Sequence, residues 1–184
     1  ATAPADVSLD AGDTIVCYGN SMVERLCEHG ELEAMIQLAQ PEKKLQFRSF
    51  AWTGDEVGYR LRPEGYEEHM KSLLRRWPAE VVIAGFGMNE SFAGRPGLED
   101  FRKQLAAYLD QLARFHPQAT LVLLAPTAVE GGGPGPDAAV RNEAIAAYAE
   151  AIRVAATARG ALYVDLFTAS QLAYAENDSP LTSN

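Results

Sequence analysis

The sequence is short of cysteine and histidine, and it contains no long apolar run. Its two cysteines, Cys17 and Cys27, are too few for a disulfide framework, and we expect both thiols to be reduced. No apolar run approaches the roughly 18 residues that a membrane span requires, which excludes a membrane-spanning segment. The three histidines and two cysteines lack the spacing of metal ligands, so we expect no metal site, and no other cofactor is indicated.

Basic residues are also few relative to acidic residues. The chain has 16 lysines and arginines against 25 aspartates and glutamates, which gives a net charge of -9. A nucleic-acid backbone or an anionic membrane surface requires a basic patch, so we expect neither as a partner. The first residue is Ala1 rather than methionine, which favours a processed protein, secreted or periplasmic, over a cytoplasmic one. The composition does not predict an oligomeric state.

Length and composition predict one globular domain over residues 1–184. Apolar residues make up 47% and charged residues 22% of the chain, which is ordinary for a globular protein of this size. Residues 1–12 are rich in small residues and lack periodicity, so we predict a terminal arm that contributes little to the fold. The core is therefore expected after residue 12.

Apolar runs and turn residues alternate along the rest of the chain. The apolar or alternating runs predict five strands, at residues 14–18, 45–50, 81–84, 120–124 and 162–164. Helical spacing predicts helices at about residues 21–39, 66–77, 98–115 and 137–159. Strands that alternate with helices five times predict an α/β fold of the doubly wound type. This is a three-layer α/β/α sandwich with a mostly parallel five-stranded sheet, as in flavodoxin.

Ser21 stands where the first strand passes into the first helix. Gly19 ends the apolar run, and the helical pattern begins directly after Ser21. The side chain of such a residue lies at the carboxyl edge of the sheet, where free N–H groups and the helix dipole favour negative charge. Ser21 is therefore a candidate nucleophile. Serine is also a favoured helix N-cap, and a Gly-Asn-Ser turn before a helix requires no chemistry.

Two later loops carry groups that suit the same chemistry. In a doubly wound sheet, ligands bind outside the carboxyl ends of the strands, where the loops around Ser21, Gly54 and Asn89 are expected to meet. Gly54 offers a backbone N–H without an obstructing side chain, and Asn89 offers a side-chain amide. Donors that converge on one point stabilise the oxyanion of a tetrahedral intermediate. The three loops together predict a site for acyl transfer.

Three motifs in these loops resemble the blocks of the SGNH, or GDSL-like, hydrolase family. The Gly-Asn-Ser-Met run at 19–22 resembles the first block, Thr-Gly-Asp at 53–55 the second, and Gly-Met-Asn-Glu at 87–90 the third. The resemblance covers essentially the whole chain and implies the SGNH hydrolase fold. It also implies a nucleophilic Ser21 and an oxyanion hole formed by the Ser21 N–H, the Gly54 N–H and the Asn89 side chain.

The sequence departs from the family pattern at two positions. Asn20 and Glu90 stand where aspartate is usual, and both departures leave the nucleophile and the oxyanion amide in place. Judged by their local sequence, Glu90 is predicted to be a solvated loop charge and Asp55 a helix N-cap. The departures therefore affect the fine tuning of the site rather than the class of hydrolase that the sequence resembles.

A serine hydrolase also needs a base, which is usually a histidine oriented by a carboxylate. His29 and His116 are predicted at the amino edge of the sheet, opposite Ser21, and His69 is predicted to be a helical surface residue. The family resemblance places the base in an Asp-x-x-His block after the fifth strand and a short helix, which corresponds here to about residues 168–174. The run at 179–184 resembles the approach to that block, so we expect these 184 residues to lack the base. Asp165 is then expected to be a structural cap.

The resulting hypothesis is a serine esterase that hydrolyses a small acyl ester through an acyl-Ser21 intermediate, impaired here by the missing histidine. The resemblance alone favours acetylated carbohydrate as the substrate. One alternative is a non-catalytic module of the same fold that uses the pocket donors to hold a ligand carbonyl or carboxylate. A flavodoxin-like anion binder ranks last, because the sequence lacks a glycine-rich cradle and that hypothesis leaves Gly54 and Asn89 unexplained.

Overall fold

The computed structural model describes residues 7–76, 78–131, 137–177 and 179–182. The strands are β1 (Thr14–Gly19), β2 (Gln46–Ser49), β3 (Val81–Gly85), β4 (Thr120–Leu124) and β5 (Leu162–Val164). The helices are α1 (Ser21–Glu28), α2 (Glu31–Ala39), α3 (Tyr66–Arg76), α4 (Gly94–Phe115), α5 (Ala138–Arg159) and α6 (Leu166–Ala175). Short 3-10 turns cover Pro41–Lys43 and Glu90–Ala93.

The five strands form one parallel sheet in the order β2-β1-β3-β4-β5. The chain winds outward in one direction from β1 to β2, and in the other direction from β3 to β5. The switch point therefore lies between β1 and β3, whose last residues Gly19 and Gly85 are register partners. Ligands of such sheets bind in the crevice at this point, outside the carboxyl ends of the strands.

Each face of the sheet carries its own apolar cluster, which confirms the predicted three-layer sandwich. Val16 and Tyr18 of β1 belong to the cluster that contains most of the buried side chains of α4 and α5. Ile15 and Cys17, which point to the opposite face, pack with the apolar residues of α1 and α2. Strands β1 and β3 are buried along their whole length, as expected for parallel strands that are covered on both faces.

The structure corrects two of the predicted boundaries and confirms a third. The single helix expected over residues 21–39 is two helices, because Gly30 takes a left-handed conformation (φ +71°) and separates α1 from α2. Helix α4 begins at Gly94 rather than Leu98, since Pro96 is tolerated in the first turn of a helix. Gly160 ends α5 in a left-handed conformation, as predicted.

The terminal arm contributes more than the sequence predicted. Leu9 is buried in the cluster beside α1, and its carbonyl accepts a hydrogen bond of 2.8 Å from the Lys43 side chain. The Gly12 N–H donates to the Lys43 carbonyl at 2.7 Å. Residues 7–12 therefore anchor the turn that precedes β2. Predictions for residues 1–6, Trp77, the loop at 132–136 and Asn184 lie outside the described residues.

Both cysteines are free thiols, which confirms the prediction that they are reduced. In the described part of the chain, no helix combines the length and the apolar character that crossing a membrane requires. The same residues contain no group of three or more His, Cys, Asp or Glu side chains arranged to hold a metal ion.

Tyr18 and His116 form a buried polar pair beneath the sheet. The Tyr18 hydroxyl lies 2.9 Å from His116 Nε2, and His116 Nδ1 has no hydrogen-bond partner among the described residues. Burial lowers the pKa of His116 to about 4, so the ring is neutral at physiological pH. His116 follows the last turn of α4, at the amino edge of the sheet where the sequence placed it. Its role is therefore structural.

Protonation of His116 is expected to destabilise the protein in mild acid. The pKa of His116 is about 4 in the folded protein, compared with its ordinary value of 6.5. The free energy of unfolding that the neutral ring contributes above pH 6.5 is therefore lost as the pH falls towards 4. The loss attributable to His116 is about 3 kcal/mol between pH 7 and pH 4. Urea unfolding should show this loss of unfolding free energy in the wild type but not in His116→Gln, which cannot be protonated in this range. The glutamine amide is expected to keep a hydrogen bond with the Tyr18 hydroxyl. Parallel pH profiles for the two proteins would contradict this account.

Candidate active site

The start of α1 approaches the sheet closely because two glycines face it. A Cβ on Gly19 would lie 2.5 Å from Cγ2 of Val23 and 2.6 Å from the Gly85 carbonyl oxygen. A Cβ on Gly85 would lie 2.6 Å from the same Val23 methyl group. Val23 is fully buried at this contact, so any larger residue would push α1 away from the sheet. The glycines thus place Ser21 over the switch point between β1 and β3.

Asn20, and not Ser21, caps α1. The Asn20 side-chain oxygen accepts a hydrogen bond of 3.2 Å from the Met22 N–H. The Asn20 backbone N–H donates to the Gly85 carbonyl at 3.3 Å. The alternative role of Ser21 as the N-cap is therefore wrong. Ser21 is the first helical residue, and its half-buried hydroxyl forms no hydrogen bond with the described residues. The N–H groups of the first helical turn have no intrahelical acceptor, and the positive end of the helix dipole lies here.

Hydrogen bonds fasten the second loop to the start of α1. The Trp52 N–H donates to the Gly19 carbonyl at 2.9 Å, and the Thr53 hydroxyl donates to the Glu24 carboxylate one turn into α1. Gly54 follows with a φ of +82°, a conformation that residues with a Cβ rarely adopt. A Cβ at Gly54 would meet no described atom within 4 Å, so the backbone conformation, rather than crowding, favours glycine. The Gly54 backbone is accordingly open to a ligand.

Asp55 forms a buried ion pair with Arg62. Both carboxylate oxygens accept from the guanidinium: Oδ1 from Nη1 at 2.9 Å, and Oδ2 from Nη2 in a shorter contact. The bond to Asp55 is the main cause of the raised pKa of Arg62. The prediction of Asp55 as a helix N-cap is wrong, because residues 55–62 form an irregular segment. This bidentate pair instead fixes the residue next to Gly54.

Asn89 connects the third loop to the second. Its Nδ2 atom donates to the Asp55 carbonyl at 3.3 Å. An amide nitrogen carries two protons, so one donor of Asn89 is left for a ligand. Asn89 directly precedes the 3-10 turn that follows β3, and its side chain is half-buried. Its amide therefore lies against the backbone next to Gly54.

Glu90 is a buried carboxylate that bridges the second and third loops. Its Oε1 accepts from the Val57 N–H at 2.9 Å, and its Oε2 accepts from the Gly87 N–H at 2.8 Å. Burial raises the pKa of Glu90, and these backbone N–H groups oppose that rise because they favour the charged form. The prediction of a solvated loop charge is therefore wrong. Glu90 serves as a backbone clamp.

The structure brings the three predicted loops together. Hydrogen bonds link the loop that carries Gly54 to the start of α1 and to the loop that carries Asn89, and the Asn20 N–H donates to Gly85 at the end of β3, the strand before the Asn89 loop. The individual roles of these three residues in an oxyanion hole stay predictions. Sequence reasoning missed the Glu24–Thr53 contact and the anchoring of Asp55 by Arg62, since neither pairing has a local sequence signal.

None of the three histidines takes part in the hydrogen bonds of this junction. His29 is the exposed C-cap of α1, His69 is exposed on α3, and His116 pairs with Tyr18. None of them forms a hydrogen bond with Ser21 in the described structure. Asp165 caps α6 by accepting from the Thr168 N–H at 2.9 Å, which confirms its predicted structural role.

Comparison with known proteins gives one family match and several structural neighbours. The model of the GDSL-like lipase/acylhydrolase family matches residues 17–182. The crystal structure of Axe2, an acetylxylan esterase from Geobacillus stearothermophilus, aligns with a TM-score of 0.66 at 15% identity, over 92% of this chain and 83% of that chain. A protein named as a GDSL-like lipase, from Parabacteroides merdae, aligns with a TM-score of 0.66 at 14% identity, over 93% and 87%.

Two variants of Axe2 that are described as catalytic mutants carry a serine-to-alanine and an aspartate-to-alanine substitution. The search of curated proteins finds no match. At these identities the structural likeness establishes the fold.

Replacing Glu90 by glutamine should loosen the loops. Glutamine keeps the length but has one acceptor oxygen, so the N–H of Val57 or Gly87 is left facing an amide group. Leaving one buried donor unpaired costs about 1–3 kcal/mol of unfolding free energy, measurable by urea denaturation. Glu99→Gln, at an exposed position on α4, is the matched control and should change stability by less than about 0.5 kcal/mol. Equal stabilities for the two variants would contradict the clamp.

Proposed function

The chain belongs to the GDSL-like lipase/acylhydrolase family, and we propose that it is a serine esterase that cleaves small acyl esters through an acyl-Ser21 intermediate. The observation that carries this proposal is the junction of three loops at the start of α1. It holds a serine hydroxyl that has no partner among the described residues, and two candidate donors, the Gly54 backbone and the Asn89 amide.

In the proposed reaction, Ser21 Oγ attacks the ester carbonyl carbon and its proton passes to a base. Negative charge then develops on the carbonyl oxygen, where the N–H groups of Ser21 and Gly54 and the second Nδ2 proton of Asn89 stabilise it. Collapse of the tetrahedral intermediate expels the alcohol, and water hydrolyses the acyl-serine. The histidines of this sequence lie elsewhere, so the proposed base is the histidine that the family resemblance places after Asn184.

Acetylated carbohydrate is the proposed substrate class. The structural neighbour Axe2 is an acetylxylan esterase, and its described catalytic mutants alter a serine and an aspartate. Both residue types suit the nucleophile and the Asp-x-x-His block proposed here. The small oxyanion site by itself sets no requirement on the alcohol, so the sugar must be recognised outside it.

The separation of all three histidines from Ser21 favours a second candidate. A binding module that lacks a base would use the same N–H groups to hold a ligand carbonyl or carboxylate without turnover. The two candidates differ in one property, which is whether hydrolysis depends on the Ser21 hydroxyl.

Substitutions at the three loops should separate these candidates. With 4-nitrophenyl acetate, the 184-residue chain is expected to hydrolyse slowly, and a chain lengthened beyond Asn184 through the family's histidine should be faster by several orders of magnitude. In the longer chain, Ser21→Ala should abolish this gain, and Asn89→Ala should lower kcat by about 10²–10³-fold.

Asn177→Ala, at an exposed asparagine after α6, is the control and should leave the rate unchanged. If lengthening the chain gives no gain, or if the gain survives Ser21→Ala, the esterase proposal fails and the binding module takes its place.

A further inference from the structure

An open groove runs along α1, where Glu24, Cys27 and Glu28 line it. We call it the α1 groove. It has a volume of about 680 Å³, within the range of about 300–1,000 Å³ typical of ligand sites. Its lining includes two carboxylates, Glu24 and Glu28, and three aromatic rings, Phe50, Trp52 and Tyr66. The groove thus combines hydrogen-bond acceptors with flat apolar surfaces.

Trp52 is an exposed but fixed aromatic surface in this groove. Its side chain is 58% exposed, although burying a large apolar side chain would stabilise the fold. Its backbone N–H is bonded to Gly19, and the Arg62 guanidinium lies 5.2 Å from its ring centre. The same guanidinium lies 5.2 Å from the ring centre of Tyr66. Because Asp55 holds Arg62 in a buried ion pair, one anchored cation orients both rings.

The charge of the groove selects among ligands. Glu24 and Glu28 supply carboxylates, and no lysine or arginine is among the described residues that line the groove. One oxygen of Glu24 is occupied by Thr53, which leaves the other free to accept a hydrogen bond. Carboxylates accept hydrogen bonds from hydroxyl groups and repel anions, so the groove favours a neutral polyhydroxylated ligand over a uronate or a phosphate ester.

The proposed nucleophile does not line the groove, but it lies on the same side of α1 as two residues that do. Ser21, Glu24 and Glu28 are spaced three and four residues apart, and therefore lie on one side of α1. Glu24 is about 4.5 Å from Ser21 along the helix axis, and Glu28 about 10 Å. An ester carbonyl held at Ser21 thus has its alcohol portion within reach of the groove.

We propose that the α1 groove binds the neutral sugar portion of the substrate, with one sugar ring stacked on Trp52 and its hydroxyls bonded to Glu24 and Glu28. This inference rests on the esterase function proposed above, because it assigns the groove to the alcohol side of the ester. The face of a sugar ring that carries its C–H groups is apolar and matches an indole surface, while its hydroxyls match the carboxylates. Trp52 is accordingly the specificity-determining residue.

Calorimetric titration of the 184-residue chain with xylotetraose, a neutral probe, and with tetragalacturonate, an anionic probe, tests this assignment. We expect xylotetraose to bind and tetragalacturonate not to. Trp52→Ala should weaken xylotetraose binding by about tenfold or more, and Trp52→Phe, which keeps a smaller ring, should weaken it less. Tyr59→Ala is the matched control, because Tyr59 is 60% exposed in the same segment but does not line the groove. It should bind like the wild type.

Titration of Ser21→Ala separates this inference from the proposed function. Ser21→Ala should bind xylotetraose normally while it fails to hydrolyse 4-nitrophenyl acetate. Sugar binding together with Ser21-independent hydrolysis would overturn the esterase proposal and the assignment of the groove to the alcohol side of an ester, and would leave only the groove's affinity for neutral sugars standing. The groove assignment is overturned if xylotetraose does not bind, if tetragalacturonate binds equally well, or if a folded Trp52→Phe and Trp52→Ala both bind like the wild type.

Discussion

The buried carboxylate of Glu90 is the interaction on which the candidate site depends most. It accepts hydrogen bonds from the N–H of Gly87 in its own loop and from the N–H of Val57, which lies 33 positions before Glu90 in the chain. A buried carboxylate is costly unless its oxygens are hydrogen-bonded, so the two loops must take up their positions together. Asp55 is a second buried carboxylate, and its partner is the guanidinium of Arg62. Gly54 and Asn89 thus lie next to two buried carboxylates that hold the backbone in place.

Arg62 couples the proposed oxyanion site to the α1 groove. Its guanidinium pairs with Asp55, the neighbour of Gly54, and also lies over the rings of Trp52 and Tyr66. A displacement of this one side chain would therefore disturb both the loop that carries Gly54 and the aromatic surface. Pre-organised groups lose little entropy when a ligand binds, which is the physical advantage of anchoring both features to one buried ion pair.

The fold and the edge of the sheet at which the candidate loops meet could be predicted from sequence, because both follow from local patterns. Buried runs such as residues 81–84 mark strands, and Gly19 and Ser21 mark a strand-to-helix turn. The roles of Asp55 and Glu90 could not be predicted, since burial of a charge depends on partners that are distant in sequence or carry no motif, such as Arg62 and Val57. The break between α1 and α2 was missed because apolar spacing continues across Gly30.

The central claim is that Ser21, Gly54 and Asn89 serve one oxyanion. A crystal structure of the chain lengthened through the family's histidine, solved after reaction with diethyl 4-nitrophenyl phosphate, tests it most directly, because the phosphoryl oxygen of the adduct occupies the place of the oxyanion. The account predicts phosphorus bonded to Ser21 Oγ and the phosphoryl oxygen at about 2.7–3.1 Å from Ser21 N, Gly54 N and Asn89 Nδ2. An adduct on another residue, or a phosphoryl oxygen that points into solvent away from Gly54 and Asn89, would contradict it.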